Sequence, residues 1–202
     1  MEKLANISAF ESLQSQVNGQ ALSEIGVFNA NYQELTEPAY VQFYDSYGEF
    51  NTALSQVYDK LNRLETISND LAADGVFAER PRLLQPFNDF LQKVSETADY
   101  YNRLAGASGN GIIDDWKSNA YYGSWQDGIA QIASICPEAA HWDIGTEVGD
   151  WDRHVSGWAQ KCADATNGYV ARMNGYVREL QQLSDDADKR ITRYSRILDE
   201  VR

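Results

Sequence analysis

Positive charge is the first thing this chain has little of. Its 17 Lys and Arg stand against 30 Asp and Glu, a formal net charge of -13 with a pI near 4.5. A surface that neutralises phosphates needs a basic face, so no nucleic-acid partner is expected, and general adhesion to anionic membranes is disfavoured as well. Long hydrophobic runs are missing too. No apolar stretch approaches a transmembrane helix, and the first residues, Met1-Glu2-Lys3-Leu4, lack the apolar core of a signal peptide. The expectation is a protein made in the cytoplasm without a cleaved leader, and export by a route that needs none fits equally well.

Cysteine and histidine are scarce. Cys136 and Cys162 are too few for a disulfide framework or a structural zinc site. Cys162 falls on an apolar stripe and reads as a small core residue, whereas Cys136 precedes Pro137 in a turn; the spacing neither favours nor forbids a bond between them. His141 and His154 stand thirteen apart with no cysteine or carboxylate placed to complete a metal set. The glycine run Gly106-Ala107-Ser108-Gly109-Asn110-Gly111 lacks the lysine and hydroxyl of a phosphate loop, and it follows a helix where a strand should be. Asp114-Asp115, the set Glu147, Asp150 and Asp152, and the set Asp185, Asp186 and Asp188 read as helix caps and wet faces. No catalytic, cofactor-binding or metal-binding residue is assigned, and the chain is not expected to be an enzyme.

What is present is helical periodicity. From Trp151 the apolar positions run Val155, Trp158, Cys162, Ala165, Tyr169, Met173, Tyr176, Leu180, Leu183, Ala187, Ile191, Tyr194, Leu198 and Val201, in steps of three and four. Such spacing keeps one side of a long helix against a partner, as in a coiled coil. Consecutive steps of four at Tyr169–Met173 and at Ala187–Ile191 are stutters that relax the supercoil. A second stripe runs Tyr40, Phe43, Tyr47, Phe50, Leu54, Val57, Leu61, Leu64, Ile67 and Leu71. Thr36-Glu37-Pro38 supplies a helix start and Asp74-Gly75 a stop. Each large side chain on these stripes contributes about 1.5–3 kcal/mol when fully covered. The expected seam takes Tyr47, Phe50, Leu54 and Leu61 from one helix and Tyr169, Met173, Tyr176, Leu180 and Leu183 from the other. Pairing of either stripe with another chain stays open.

The predicted fold is mainly α: a long intramolecular two-helix coiled coil with a smaller helical or mixed insertion between the coil helices. One structural domain would hold an N-terminal segment with short helices (1–35), a first coil helix (36–75), the insertion (76–149) and a C-terminal coil helix (150–202). In the N-terminal segment Phe10, Leu13 and Val17, then Leu22, Ile25, Phe28 and Tyr32, mark short amphipathic pieces. In the insertion, Pro81 opens a helix through Leu83, Phe87, Phe90, Val94, Ala98, Tyr101 and Leu104 that ends at Gly106. One or two further helices over 112–133 carry Trp116, Tyr121, Tyr122, Trp125, Ile129 and Ile132, and the pattern fades over 135–149, where short strands are compatible. The aromatics suit either a thick junction between coil and insertion or an association surface. Gly157, Gly168 and Gly175 each cost about 1 kcal/mol inside a helix, and for the last two, one heptad apart, a close backbone approach by another helix would offset that cost.

The stretch Gln160-Lys161-Cys162-Ala163-Asp164-Ala165-Thr166-Asn167-Gly168-Tyr169, continuing to Leu180, resembles the C-terminal coil helix of type III secretion needle-tip proteins of the invasion plasmid antigen D family. Glu37-Pro38-Ala39-Tyr40 through Tyr44, Tyr47, Phe50 and Leu54 is similar to that family's first coil helix, and the order coil helix, insertion, coil helix agrees. The two stretches cover about a fifth of the chain. Cys162 stands where the family has an aromatic residue, and fewer residues precede Tyr40 than the family's self-chaperoning hairpin occupies; the length is closer to filament-forming tip proteins. The resemblance implies a secreted, non-catalytic structural protein at the cell surface. It would cap or extend a secretion needle, serve as a platform for translocon assembly and host sensing, and have as partners the needle subunit, the translocator proteins and further copies of itself. A small host ligand at the junction of coil and insertion is left open. The end formed by Arg190, Arg193, Tyr194, Arg196 and Ile197, basic and apolar on an acidic protein, is then the expected needle-docking surface. A generic coiled-coil scaffold or adaptor, or a phage structural protein, is the main alternative. A helical pore-forming toxin component comes after it.

Overall fold

A computed structural model describes residues 2–106, 109, 111–121, 123–125 and 144–202, with side-chain surroundings from residue 30 onward and, in the last stretch, from 156. The fold is mainly α, and among the described residues every regular element is helical. Helix α1 runs Glu2–Ala73, α2 is the single turn Val76–Glu79, and a 3-10 turn at Pro81–Leu83 leads into α3, Leu84–Ala105. Helix α4, Ile112–Trp116, continues as a π turn over Lys117–Tyr121, and the last helix, α5, spans Ile144–Val201. The chain forms two compact units. Unit 1 comprises residues 1–43 and 115–168, and unit 2 comprises 44–114 and 169–202.

Unit 2 is a bundle of three helices. The α1 stripe from Phe50 to Leu71, the α5 stripe from Leu180 to Leu198, and Phe87, Phe90, Val94, Ala98 and Tyr101 of α3 share one apolar core. The expected insertion thus supplies a third helix to the core that α1 and α5 form together. A face repeated every three to four residues says that a helix is covered but not how many neighbours cover it. Of the expected seam, Phe50, Leu54, Leu61, Tyr169, Met173, Leu180 and Leu183 are buried, while Tyr47 and Tyr176 are half-buried and packed against the core. The stripe's ends differ from expectation: Tyr40 is 44% exposed and Val201 37%.

Stops and starts within unit 2 follow local chemistry. Gly75 takes a left-handed φ of 72° just after α1, and Gly106 closes α3 with φ 104°. A Cβ on Gly111 would run into the Gly106 backbone, so the turn depends on two glycines lying back to back. The Arg202 guanidinium reaches across to α1, with Nε 2.7 Å from Asp74 and a terminal nitrogen 3.1 Å from Asp70.

The expected helix start at Thr36-Glu37-Pro38 is overturned, because α1 runs straight through it. The Thr36 hydroxyl is not a cap; it donates to the Tyr32 carbonyl at 2.6 Å, one turn back in the same helix. Pro38 has no N–H to give the Glu34 carbonyl and costs an interior helix about 3 kcal/mol. Tyr32, Thr36, Ala39 and Phe43 offset that cost: each is buried, at 0%, 1%, 6% and 0% exposure, on one continuous face. The α5 helix likewise covers residues 144–149, where strands were compatible.

Unit 1 is organised around Trp116. Its ring stacks on Phe43 at 4.2 Å between centroids and 11° between planes, and its indole N–H donates to the Thr166 hydroxyl at 2.9 Å. The Tyr32 hydroxyl donates to the Tyr121 carbonyl at 2.8 Å, at the end of the π turn. Cys162 is buried and free, within hydrogen-bonding reach of Tyr32 and Thr166. Burial pushes both the Tyr32 phenol and the Cys162 thiol above their ordinary pKa. Among the described residues no helix makes the close approach inferred at Gly168 and Gly175, since a Cβ at either position would meet nothing within 4 Å. Cys136, His141, Ile129, Ile132 and Tyr122 lie outside the described residues, as do the surroundings of Phe10, Leu13, Val17, Leu22, Ile25, Phe28, Trp151, Val155, His154, Glu147, Asp150 and Asp152.

Candidate functional site

The residues expected to dock on a needle all lie on α5 in unit 2, and the bundle sorts them into two groups. Tyr194 is 1% exposed, with its ring edge-on to Phe87 at 4.7 Å, so it belongs to the core and cannot be a docking contact. Ile197 is half-buried against the same core. The reason is visible in the spacing: Tyr194 continues the α5 stripe, three residues after Ile191 and four before Leu198. Arg193 and Arg196 are exposed, and the Arg190 guanidinium lies over the Phe90 ring at 4.1 Å.

Arg190 and Arg193 open onto a groove of about 670 Å³ between α3 and α5, completed by Lys189 and Asp186 from α5 and by Pro86, Asp89, Phe90 and Lys93 from α3. Four cations thus face two carboxylates in a protein that is otherwise strongly acidic. Lys189 donates to Asp186 at 2.9 Å and, with Lys93 and Arg190 adding to it, holds that carboxyl below the usual range; the same pair raises the Lys189 ammonium. Being exposed, the pair contributes little stability. Asp89 accepts from Gln85 at 2.6 Å. Chemically the groove offers cation donors around an aromatic floor, which suits carboxylate or phosphate oxygens beside an apolar contact.

Lys93 and Lys189 were not singled out from the sequence. A weak signal existed: Asp186, Lys189, Arg190 and Arg193 recur at helical spacing beside the α5 stripe. Nothing in the chain points to α3 as the opposite wall. The acidic sets divide in a similar way, since Asp188 pairs with Lys60 at 2.6 Å while Asp114 and Asp115 are exposed. Among the described residues no group of three His, Cys, Asp or Glu side chains could hold a metal ion, and no helix is long and apolar enough to cross a membrane.

Comparison of the chain with family models, with curated proteins and with solved structures found no match.

Proposed function

We propose that the protein is a non-catalytic structural component that works by assembly, and specifically that it caps or extends a type III secretion needle. The observation that carries this reading is the pairing of helices of 72 and 58 residues around a shorter helical insertion, with the α5 cations turned to the surface. The local resemblance of 160–180 and 37–54 to needle-tip coil helices supports the choice of setting. On this reading the protein is exported, sits at the cell surface, and meets needle subunits, translocator proteins and its own copies. Docking on the needle falls to Arg193 and Arg196, with Tyr194 and Ile197 supporting the helix from within.

The test is an immunoblot of culture supernatant from the source cell, with and without a working type III export ATPase. Appearance outside the cell only when the ATPase works is the expected result. Retention in both strains discards the needle setting and leaves a helical scaffold or adaptor inside the cell. Charge reversal at Arg193 and Arg196 should weaken binding to purified needle subunits while helicity stays intact.

A further inference from the structure

We propose that the α3–α5 groove of one copy receives the exposed ridge of α1 around Glu34–Val41 of a second copy, so that the protein assembles head to tail. The inference rests on the self-association in the reading above and on no particular secretion machine.

The two surfaces have opposite character. Unit 2 as a whole is acidic, with 17 of the 30 carboxylates beside 13 of the 17 basic residues, but the groove gathers Lys93, Lys189, Arg190 and Arg193 against only Asp89 and Asp186. Asp186 accepts from Lys189, the Arg190 guanidinium lies over the Phe90 ring, and Lys93 and Arg193 are exposed at the groove's rim. Unit 1 carries only four basic residues, and its stretch of α1 turns Glu34, Glu37, Pro38 and Val41 to one side at spacings of three, four and seven. All four are exposed, Val41 at 49%, on the side away from buried Tyr32, Thr36, Ala39 and Phe43. A valine at such exposure beside two carboxylates matches a groove that sets Phe90 and Pro86 among cations.

The dimensions agree as well. Glu34–Val41, Pro86–Lys93 and Asp186–Arg193 are each two helical turns, about 10 Å long. A helix ridge laid into a groove between two helices is a recurrent recognition mode. Two grooves repel each other, as do two ridges, so the contact is heterologous and repeats from copy to copy. Because exposed charges guide it, it weakens as salt rises.

Sedimentation velocity on the full chain tests this. The wild type should form species larger than a monomer at low salt and fall toward monomer at high salt. E34K/E37K reverses the ridge and K93E/R193E reverses the groove; all four positions are exposed, and circular dichroism checks that each variant keeps its helix content. Each variant alone should associate at least tenfold more weakly than wild type, and an equimolar mixture should recover assembly, because each reversed surface then meets its complement. A monomeric wild type at low salt, a reversed variant that assembles like wild type, or a mixture that stays monomeric would each overturn the proposal. The export assay is independent: a protein that is exported but monomeric loses this inference alone, and one that assembles but is retained loses the needle setting alone.

Discussion

The same two long helices build both units, yet the interiors are made differently. In unit 2 the α1 stripe from Phe50 to Leu71 is almost wholly aliphatic and meets Phe87, Phe90 and Val94, so area removed from water fixes the packing. Polar side chains there work at the margins, as where the Tyr47 hydroxyl donates to the Ala105 carbonyl and Tyr101 donates to Glu179. In unit 1 the corresponding positions are Tyr32, Thr36, Ala39, Cys162 and Thr166, and the interior rests on named pairs: Trp116 with Thr166, and Tyr32 with the Tyr121 carbonyl. An apolar core tolerates exchanges of similar volume, whereas a buried polar pair does not tolerate loss of one member. One helix can therefore carry two kinds of specificity along its length.

The largest effect should come from the apolar core of unit 2. Phe87→Ala removes a ring that is 2% exposed and packed edge-on to Tyr194, and should cost about 3–5 kcal/mol, read as a drop in the denaturant midpoint. Its effect on unit 1 is measurable separately, because the buried Cys162 thiol reports opening there by its labelling rate in a Cys136→Ser background. If labelling accelerates as much as unit 2 is destabilised, the two units unfold as one and the contrast is purely local.

Next in size is the polar pair. Thr166→Val keeps the volume but removes the hydroxyl that accepts from the buried Trp116 N–H, at about 1–3 kcal/mol, while Thr166→Ser should retain most of the stability. Equal stability of the valine and serine variants would show that volume, not the hydrogen bond, matters at this position.

High pH should act on both units through their tyrosines. Burial, and for Tyr101 the Glu179 carboxylate as well, raises the folded pKa of Tyr32 and Tyr101 above the ordinary 10.0. The neutral phenols are therefore favoured in the folded state: their contribution is fully present below about pH 10, declines as the unfolded phenols ionise above it, and is lost as pH rises through the folded values. Tyr101→Phe should flatten that decline for unit 2 and Tyr32→Phe for unit 1, in urea melts followed across pH 8 to 11 (roughly the span around a free phenol). A decline unchanged in both variants would assign it to other groups.

The smallest effect lies at the surface. Arg202→Ala removes exposed ion pairs to Asp70 and Asp74 and should lower the denaturant midpoint only slightly, an effect that vanishes in high salt. A larger, salt-resistant loss would mean that the guanidinium stem packs over the helix ends.

Much of unit 2 was legible residue by residue. The three stripes, the stop at Gly75, the start at Pro81 and the end at Gly106 each follow from a local rule: a periodic apolar face, a left-handed glycine, a proline in the first turn. The misreadings arose where a local rule met a distant contact. Thr36-Glu37-Pro38 carries every mark of a helix start, and only burial of Tyr32, Thr36 and Ala39 carries the helix past it. Tyr194 was given two incompatible roles, one on the stripe and one at the docking end, and packing on Phe87 decided for the stripe. The glycines at 168 and 175 satisfied a heptad argument, yet none of the described residues approaches them.

Sequence alone determined which faces of these helices are apolar and where unit 2 turns, because periodicity and the φ demands of glycine and proline act within a few residues. Tertiary structure decided that α3 joins α1 and α5 in one core, that Lys93 stands across a groove from Lys189, and that Trp116 finds Thr166 fifty residues away. Those are choices among partners, and a partner is selected by the free energy of covering both surfaces at once, which neither segment encodes by itself.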